Sequence, residues 1–446
     1  MIEQHTAAHN ERVAAVAAAV RANARSGQPL QIQKGGVSHF VPLPNDARAA
    51  GRPVDISSLK HIVEIDPERR ICTAEPGISF AELIPHTLAH GLIPTVVPEL
   101  KGISLGGAVA GCSVEAMSYR YGGFHDSCLE YEVVTGGGEV VVLSPDKEPL
   151  MFEMIHGSYG TLAILTKITF KLVPAKPFVH MTYRCLESFS DFNHELISRC
   201  AAADYDLIDA IIHDAQHFVL CLGNFVDTAP YSSDYSRTNI FYKSTLTRQQ
   251  DYLTAFDYCF RYDAECHWLT RTFPPLEWKP VRWALGGMFL GSTKLIQWSN
   301  RLEKVLALKR RPDVVCDVFI TDERFAEFFE WYDKVFNFYP LWVVPYRPPK
   351  VYPWINSSYG RALAGGMFID CAIYGKPNSE TNVDYSMLLE EQVHKLNGLK
   401  TLISRNHYSL ERFWQIYNQE NYRAAKERLD PLNVFPGLYE KFHGQQ

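Results

Sequence analysis

The run Ser104-Leu105-Gly106-Gly107-Ala108-Val109-Ala110-Gly111 carries no bulky polar side chain. Main-chain N–H groups along it can therefore close on an anion such as a pyrophosphate, which larger residues would hold away. A Gly-Gly pair alone more often marks a tight turn or close helix packing, so the run gains weight only from its surroundings. Two other places carry side chains suited to chemistry. His407 and Tyr408 are adjacent, and a histidine there suits acid–base work near neutral pH; the alternative is a histidine satisfied in the core or at the surface. Arg120, between Tyr119 and Tyr121, can pair with a carboxylate or phosphate, or can be held between the two rings to fix a loop. Glu132, between Tyr131 and Val133 in a strand pattern, reads as a structural buried acid more than as a ligand.

These groups need a frame, and the order of segments supplies one. An amphipathic helix suits Phe80 to His90 and a strand suits Leu92 to Val97, with the glycine run following. Then come Tyr119-Arg120-Tyr121-Gly122, a strand from Leu129 to Thr135, a Gly136-Gly137-Gly138 hairpin and a strand from Glu139 to Leu143. Gly157-Ser158-Tyr159-Gly160-Thr161-Leu162-Ala163-Ile164 leads into an alternating strand, Leu165 to Leu172. Upstream, the N-terminus from Met1 to Arg21 reads as an amphipathic helix and Leu30 to Gln33 as a first strand. Downstream, the order strand, helix, paired strands occurs twice, at Phe178 to Gly223 and at Asp313 to Tyr374, which suits two halves around one antiparallel sheet.

This layout resembles the FAD-binding domain of the vanillyl-alcohol oxidase and p-cresol methylhydroxylase (PCMH) superfamily. Val97-Pro98-Glu99-Leu100, Val114-Glu115, Ser118-Tyr119-Arg120-Tyr121-Gly122 and Ser158-Tyr159-Gly160-Thr161-Leu162 are similar to the delta-24-sterol reductase (diminuto/seladin) branch and its bacterial lipid-reductase relatives. So are Asp257-Tyr258, Arg261 to Trp268, Tyr339 to Trp342, Phe368 to Asp370 and Glu411 to Trp414. The resemblance implies an α+β, two-domain chain: an FAD-binding PCMH-type domain over 1–175 and an antiparallel-sheet substrate or cap domain over 176–446, whose tail 415–446 packs back on the first.

The resemblance also implies site roles. Gly35 and Gly36 supply a phosphate turn, and the position of the family's covalent histidine holds Val37, so FAD is expected to be bound without a covalent link; His39 is the alternative attachment point. The expected cofactor-binding set is completed by Ser104, Leu105, Gly106, Gly107, Gly111, Cys112, Ser113, Ser118, Gly122, His125, Gly160, Thr161 and Ile164. Cys112 and Cys128 read as small buried thiols before attachment points. Tyr408, with His407, is the expected proton source over the flavin, and Arg120 a partner for an anionic flavin or lipid headgroup.

Composition narrows the field. The 446 residues suit two domains, and the apolar fraction of 46% is ample for burial. With 44 basic against 50 acidic residues the net charge is −6, which gives no general attraction to nucleic acid. Ten cysteines show no Cys-x-x-Cys pair and no Cys/His cluster at zinc spacing, so neither a metal site nor a disulfide framework is expected. Neither a signal-peptide core nor a membrane-spanning run is evident, and a cytoplasmic protein, peripheral to the membrane at most, is expected. The stretch 273–290 interleaves proline, tryptophan, lysine and arginine with apolar residues, the chemistry of a segment lying on lipid; a cap loop with buried aromatics is the competing reading.

Two activities remain open. One is reduction of an isolated C=C bond in a lipid, a sterol or isoprenoid side chain or a methylene-branched acyl chain. NADPH would be the donor and would share the substrate cleft, since there is no Gly-x-Gly-x-x-Gly fingerprint for a separate dinucleotide domain. The other is oxidation of an alcohol or other C–H donor with oxygen or a quinone as acceptor. A flavin-binding protein without turnover is a third class, which preserved cap segments disfavour.

Overall fold

The computed structural model describes residues 2–25, 27–36, 41, 51–306, 311–360, 366–379 and 382–443. Val37, Ser38 and His39 lie outside them, so the expectation placed on His39 has no structural counterpart here.

Three sheets organise these residues. Leu30–Gln33 pairs in parallel with Arg52–Asp55. A six-stranded antiparallel sheet runs in the order Ile62–Asp66, Ile71–Ala74, Ile164–Pro174, Cys128–Val134, Val140–Leu143, with Leu92–Pro94 paired to the far end of Ile164–Pro174. An eight-stranded antiparallel sheet follows: Gln250–Thr254, Phe178–Leu186, His217–Val226, Leu207–Asp214, Leu341–Tyr346, Phe368–Lys376, Val314–Thr321, Leu399–Lys400. Its two halves meet where Leu207–Asp214 pairs with Leu341–Tyr346, residue Ile211 opposite Trp342. The architecture is α+β, with a six-stranded sheet in the first layer and the eight-stranded antiparallel sheet in the second.

The large sheet is covered on both faces, which is why Leu207–Asp214 is buried without interruption from Leu207 to Ile212, Asp209 included. Ile208, Ala210 and Ile212 point to a layer made by helices Phe189–Ala202, Asp322–Trp331 and Tyr385–Lys395, through Phe192, Leu196, Phe325, Phe328, Leu389 and Val393. Leu207 and Ile211, with Trp342, Val344 and Ala372, point the opposite way, into a core shared with the first domain. Period-two alternation thus decides which residues can face a cleft between the domains.

Boundaries of the sequence reading shift by a few residues. The N-terminal helix spans Ile2–Ala24 and the helix after Ser79 spans Phe80–Leu88, held by a capping box between Ser79 and Glu82. The glycine run becomes a six-residue helix, Leu105–Ala110. Stretch 273–290 differs more: Lys279–Phe289 is a helix, and of the stretch's aromatics Phe289 packs on Trp298 while Phe273, Trp278 and Trp283 are exposed. All ten cysteines are free thiols.

Candidate functional site

The short helix Leu105–Ala110 ties the first domain together. Leu105 N–H donates to the carbonyl of Ile78 at 3.0 Å and Gly106 N–H to that of Pro76 at 2.8 Å. A Cβ at 106 would stand 2.8 Å from the Pro76 Cβ, so glycine is required for this contact. This corrects the expectation for Leu105 and Gly106: their N–H groups fasten a loop and are not available to an anion. The helix instead sets the height of Gly111 and Cys112 at its end, where Tyr159 N–H donates to the Ala110 carbonyl at 3.2 Å.

Gly111 and Cys112 open onto a cleft enclosing about 820 Å³, part of it continuous with solvent. On the first-domain side it is bounded by Gly111, Cys112, His125, Gly157 and Tyr159; opposite stand Phe319, Tyr346 and Phe368 from the large sheet, with Tyr352 and Trp354 from the loop behind it. Phe319, Tyr346 and Phe368 share a face because cross-strand register sets Phe319 opposite Asp370 and Tyr346 opposite Phe368, and alternation does the rest. Thr401, Lys350 and Tyr417 add polar atoms to an otherwise aromatic wall.

His125 is the buried polar group turned into this space. It is 1% exposed, both ring nitrogens lack a hydrogen-bond partner, and its ring lies 5.0 Å from that of His156 and 5.2 Å from that of Tyr352. Burial lowers its pKa to about 4, so the ring is a neutral donor–acceptor at physiological pH. Trp354 Nε1 is likewise buried without a partner. An extended planar cofactor with polar edges fits these orphaned atoms, and the positive φ of Gly157 (63°), Gly160 (73°) and Gly36 (85°) marks turns that only glycine adopts freely. A Cβ on Gly160 would also come within 2.9 Å of Ile32 Cδ1. His125, Trp354 and the turns at Gly111, Cys112 and Gly157 are thus the residues that would hold the ring system of FAD.

Behind the aromatic wall lie carboxyl groups that sequence reasoning passed over. Asp317 sits on the same strand face as Phe319; burial, aided by the charge of Glu99, raises its pKa to about 7. Its main-chain N–H donates to Thr401 Oγ1 at 3.1 Å, and that hydroxyl reaches the Asp317 carboxylate at 3.5 Å. Tyr374 donates from the other side at 3.5 Å. Asp370, on the neighbouring strand, is buried and pushed well above the carboxylate range by desolvation and by Asp317. An acid in an apolar strand, Cys316-Asp317-Val318 and Ile369-Asp370-Cys371, is a signal the sequence does carry.

The remaining expected site residues separate. A Cβ on Gly35 would stand 3.4 Å from Ser57 Cβ at the edge of the first sheet, and Gly36 carries the turn after it. Ser104 caps the short helix without a side-chain bond. The N–H of Ser113 closes the helix on Ala108, and Gly122, at φ 79°, lies against Asp126 and Pro349. Ser118 and Thr161 are buried with their hydroxyls engaged, Ser118 by Glu115 N–H and Thr161 by the Ser158 carbonyl and Tyr422. Ile164 belongs to a core cluster with Val13, Val20 and Leu30. Glu132 bonds His9 and Thr166, a structural role. Arg120 donates to the carbonyls of Ala203 and Tyr205 and pairs with Asp206, so it clasps a loop. His407 faces Ser386 at 2.8 Å, its pKa lowered to about 4 chiefly by burial. Tyr408 is 3% exposed with a partnerless hydroxyl and packs with Phe413. None of Arg120, His407 and Tyr408 lines the cleft; Tyr417, the C-terminal cap of helix Leu410–Ile416, does so in their place.

Comparison with known proteins agrees with this geometry. Residues 7–144 match the family model described as an FAD binding domain. The chain is 24% identical over 405 residues to the Delta(24)-sterol reductase of Homo sapiens, covering 86% of this chain and 76% of that one. It is 21% identical over 439 residues to the Delta(24)-sterol reductase of Pisum sativum, covering 88% and 76%. Cytokinin dehydrogenase 2 of Oryza sativa subsp. japonica is 27% identical over 171 residues, covering 37% of this chain and 30% of its own length. The chain is an oxidoreductase with an FAD-binding domain of PCMH type, related along most of its length to the Delta(24)-sterol reductases of animals and plants.

Proposed function

We propose that this protein reduces an isolated C=C bond in a lipid, a sterol or isoprenoid side chain or a methylene-branched acyl chain, with NADPH as the electron donor entering the same cleft. The observation that carries this reading is an aromatic-walled cleft with a buried acid behind it whose pKa is raised to about 7. Phe319, Tyr346 and Phe368 offer an alkene a water-poor, apolar surface and offer an alcohol or sugar few partners. FAD, when bound and reduced by NADPH, would supply the hydride.

A C=C bond with no electron-withdrawing neighbour accepts hydride only as a proton reaches its other carbon, so the site needs an acid that holds its proton near pH 7. Asp317, raised to about 7 and so partly protonated at neutral pH, meets that need, and Thr401, whose hydroxyl lies 3.5 Å from the Asp317 carboxyl and lines the cleft, hands the proton on and takes one back from Asp317. His125 stays neutral and orients the ring system, and the aromatic wall excludes water from the reacting carbon. Tyr417, whose pKa burial holds well above that of a free tyrosine, stays protonated beside the same space.

Anaerobic titration tests the reading: NADPH bleaches the flavin absorbance, and an unsaturated lipid then restores it. In Asp317→Asn, bleaching by NADPH is retained while lipid-dependent reoxidation falls on the order of 100-fold, and the loss of rate as pH rises through about 7 disappears. Bleaching by an alcohol with no response to NADPH would establish the dehydrogenase activity instead.

A further inference from the structure

Helix Lys279–Phe289 presents an outer face on which the one charged side chain is Lys279, in the first turn. Arg282, 1% exposed, is turned inward, where it pairs with Glu265 and donates to the carbonyls of Arg237 and Asn239. Gly286, one turn on, is buried with it. Those two positions fix the inner stripe, so Pro280, Trp283, Ala284, Gly287 and Met288 lie outward. Trp283 is 70% exposed and Met288 53%, and next to them Trp278 is 61% and Phe273 58% exposed. Isolated exposed apolar residues need no explanation, but five within 16 residues, Leu285 at 44% among them, form a patch that water disfavours.

Charge identifies what covers it. The protein as a whole is acidic, with a net charge of −6, yet exposed cations stand at the patch: Lys279 in the helix itself, Arg237 beside Gly287, and Lys294, which donates to the Gly287 carbonyl. The acid within the same stretch, Glu277, is already engaged by Lys243 and Tyr242. Tryptophans beside a cationic rim match the boundary of an anionic bilayer, where the rings sit at headgroup level and the ammonium and guanidinium groups meet lipid phosphates.

We propose that this helix is a membrane-docking face, lying parallel to an anionic bilayer with Trp278, Trp283 and Met288 inserted at the headgroup–acyl boundary. Docking is independent of the reductase reading, because it is measured without turnover. The full chain is mixed with vesicles of phosphatidylcholine alone or of phosphatidylcholine with phosphatidylglycerol, and floated through a density gradient. The expected result is flotation with the anionic vesicles, weakened by salt and by Lys279→Glu. In Trp283→Ala/Met288→Ala the affinity falls on the order of tenfold or more, with far-ultraviolet dichroism and flavin reduction unchanged because both residues are exposed. Absence of flotation at low salt, flotation that survives the double substitution, or a concentration-dependent dimer that the substitution dissolves would each overturn the proposal.

Discussion

Replacing Arg261 with methionine tests how the two domains are joined. The guanidinium has no exposed surface and bonds Glu115 at 2.8 Å and Asp209 at 2.9 Å, linking the loop after the glycine run to the middle of the large sheet. It also stacks over Tyr258 at 4.2 Å and Tyr262 at 4.8 Å. Methionine fills much of the volume but strands two buried carboxylates, a change that costs about 3–5 kcal/mol. At roughly 2–4 °C per kcal/mol for a chain with domains this large, the melting temperature at pH 8 should fall by about 10 °C. The deficit carries a pH signature. Burial already raises the pKa of Glu115 to about 7 against the pull of Arg261, and loss of that cation raises it further. A group whose folded pKa is raised contributes stability that is whole below its unfolded value near 4.5 and is lost as pH rises through the folded value. The deficit of R261M should therefore be smallest near pH 5.5 and grow toward pH 8, measured by chemical denaturation of both proteins at each pH. Adding Asp209→Asn should recover part of it. A deficit under about 1 kcal/mol at pH 8, or one that grows as pH falls, would refute the reasoning.

Other substitutions reach other parts of the fold. Gly106→Ala drives a Cβ into Pro76 at 2.8 Å and should both lower the melting temperature and weaken retention of FAD, measured by flavin released on gel filtration. His9 bridges Glu75 at 2.8 Å and Glu132 at 2.9 Å and so clamps the N-terminal helix to the first sheet. The His9 pKa is raised by its hydrogen bonds to these carboxylates, which outweigh burial, and both carboxylates are held down to about 2. The clamp is therefore whole between roughly pH 4.5 and 6.5 and weakens as pH rises through the folded histidine value. Proteolysis within residues 2–24 should accelerate above that range, and His9→Ala should cleave rapidly at every pH.

The first domain was legible because its signals are local. The capping box at Ser79 and Glu82, the hairpin at Gly136 to Gly138 and the alternation of Ile164–Pro174 each report on neighbours a few residues apart. The cleft was legible at Gly111, Cys112 and His125, which lie in that same ordered stretch. It was not legible on the sheet side, where Phe319, Tyr346 and Phe368 come from separate strands and meet through register alone. Sequence spacing says nothing about which of two apolar faces such a strand turns to the cofactor domain.

The amino-acid sequence by itself determined the FAD-binding frame, because small residues and turn geometry are properties of short segments. It also held the buried acids, visible as aspartates interrupting apolar strands. Tertiary structure alone decided which groups face the cleft: it turned Arg120 onto a loop, set His407 against Ser386 and Tyr408 into the core, and set Asp317 beside Thr401. Burial and strand register are sums over residues distant in the chain, and a side chain's chemistry follows from them as much as from its type.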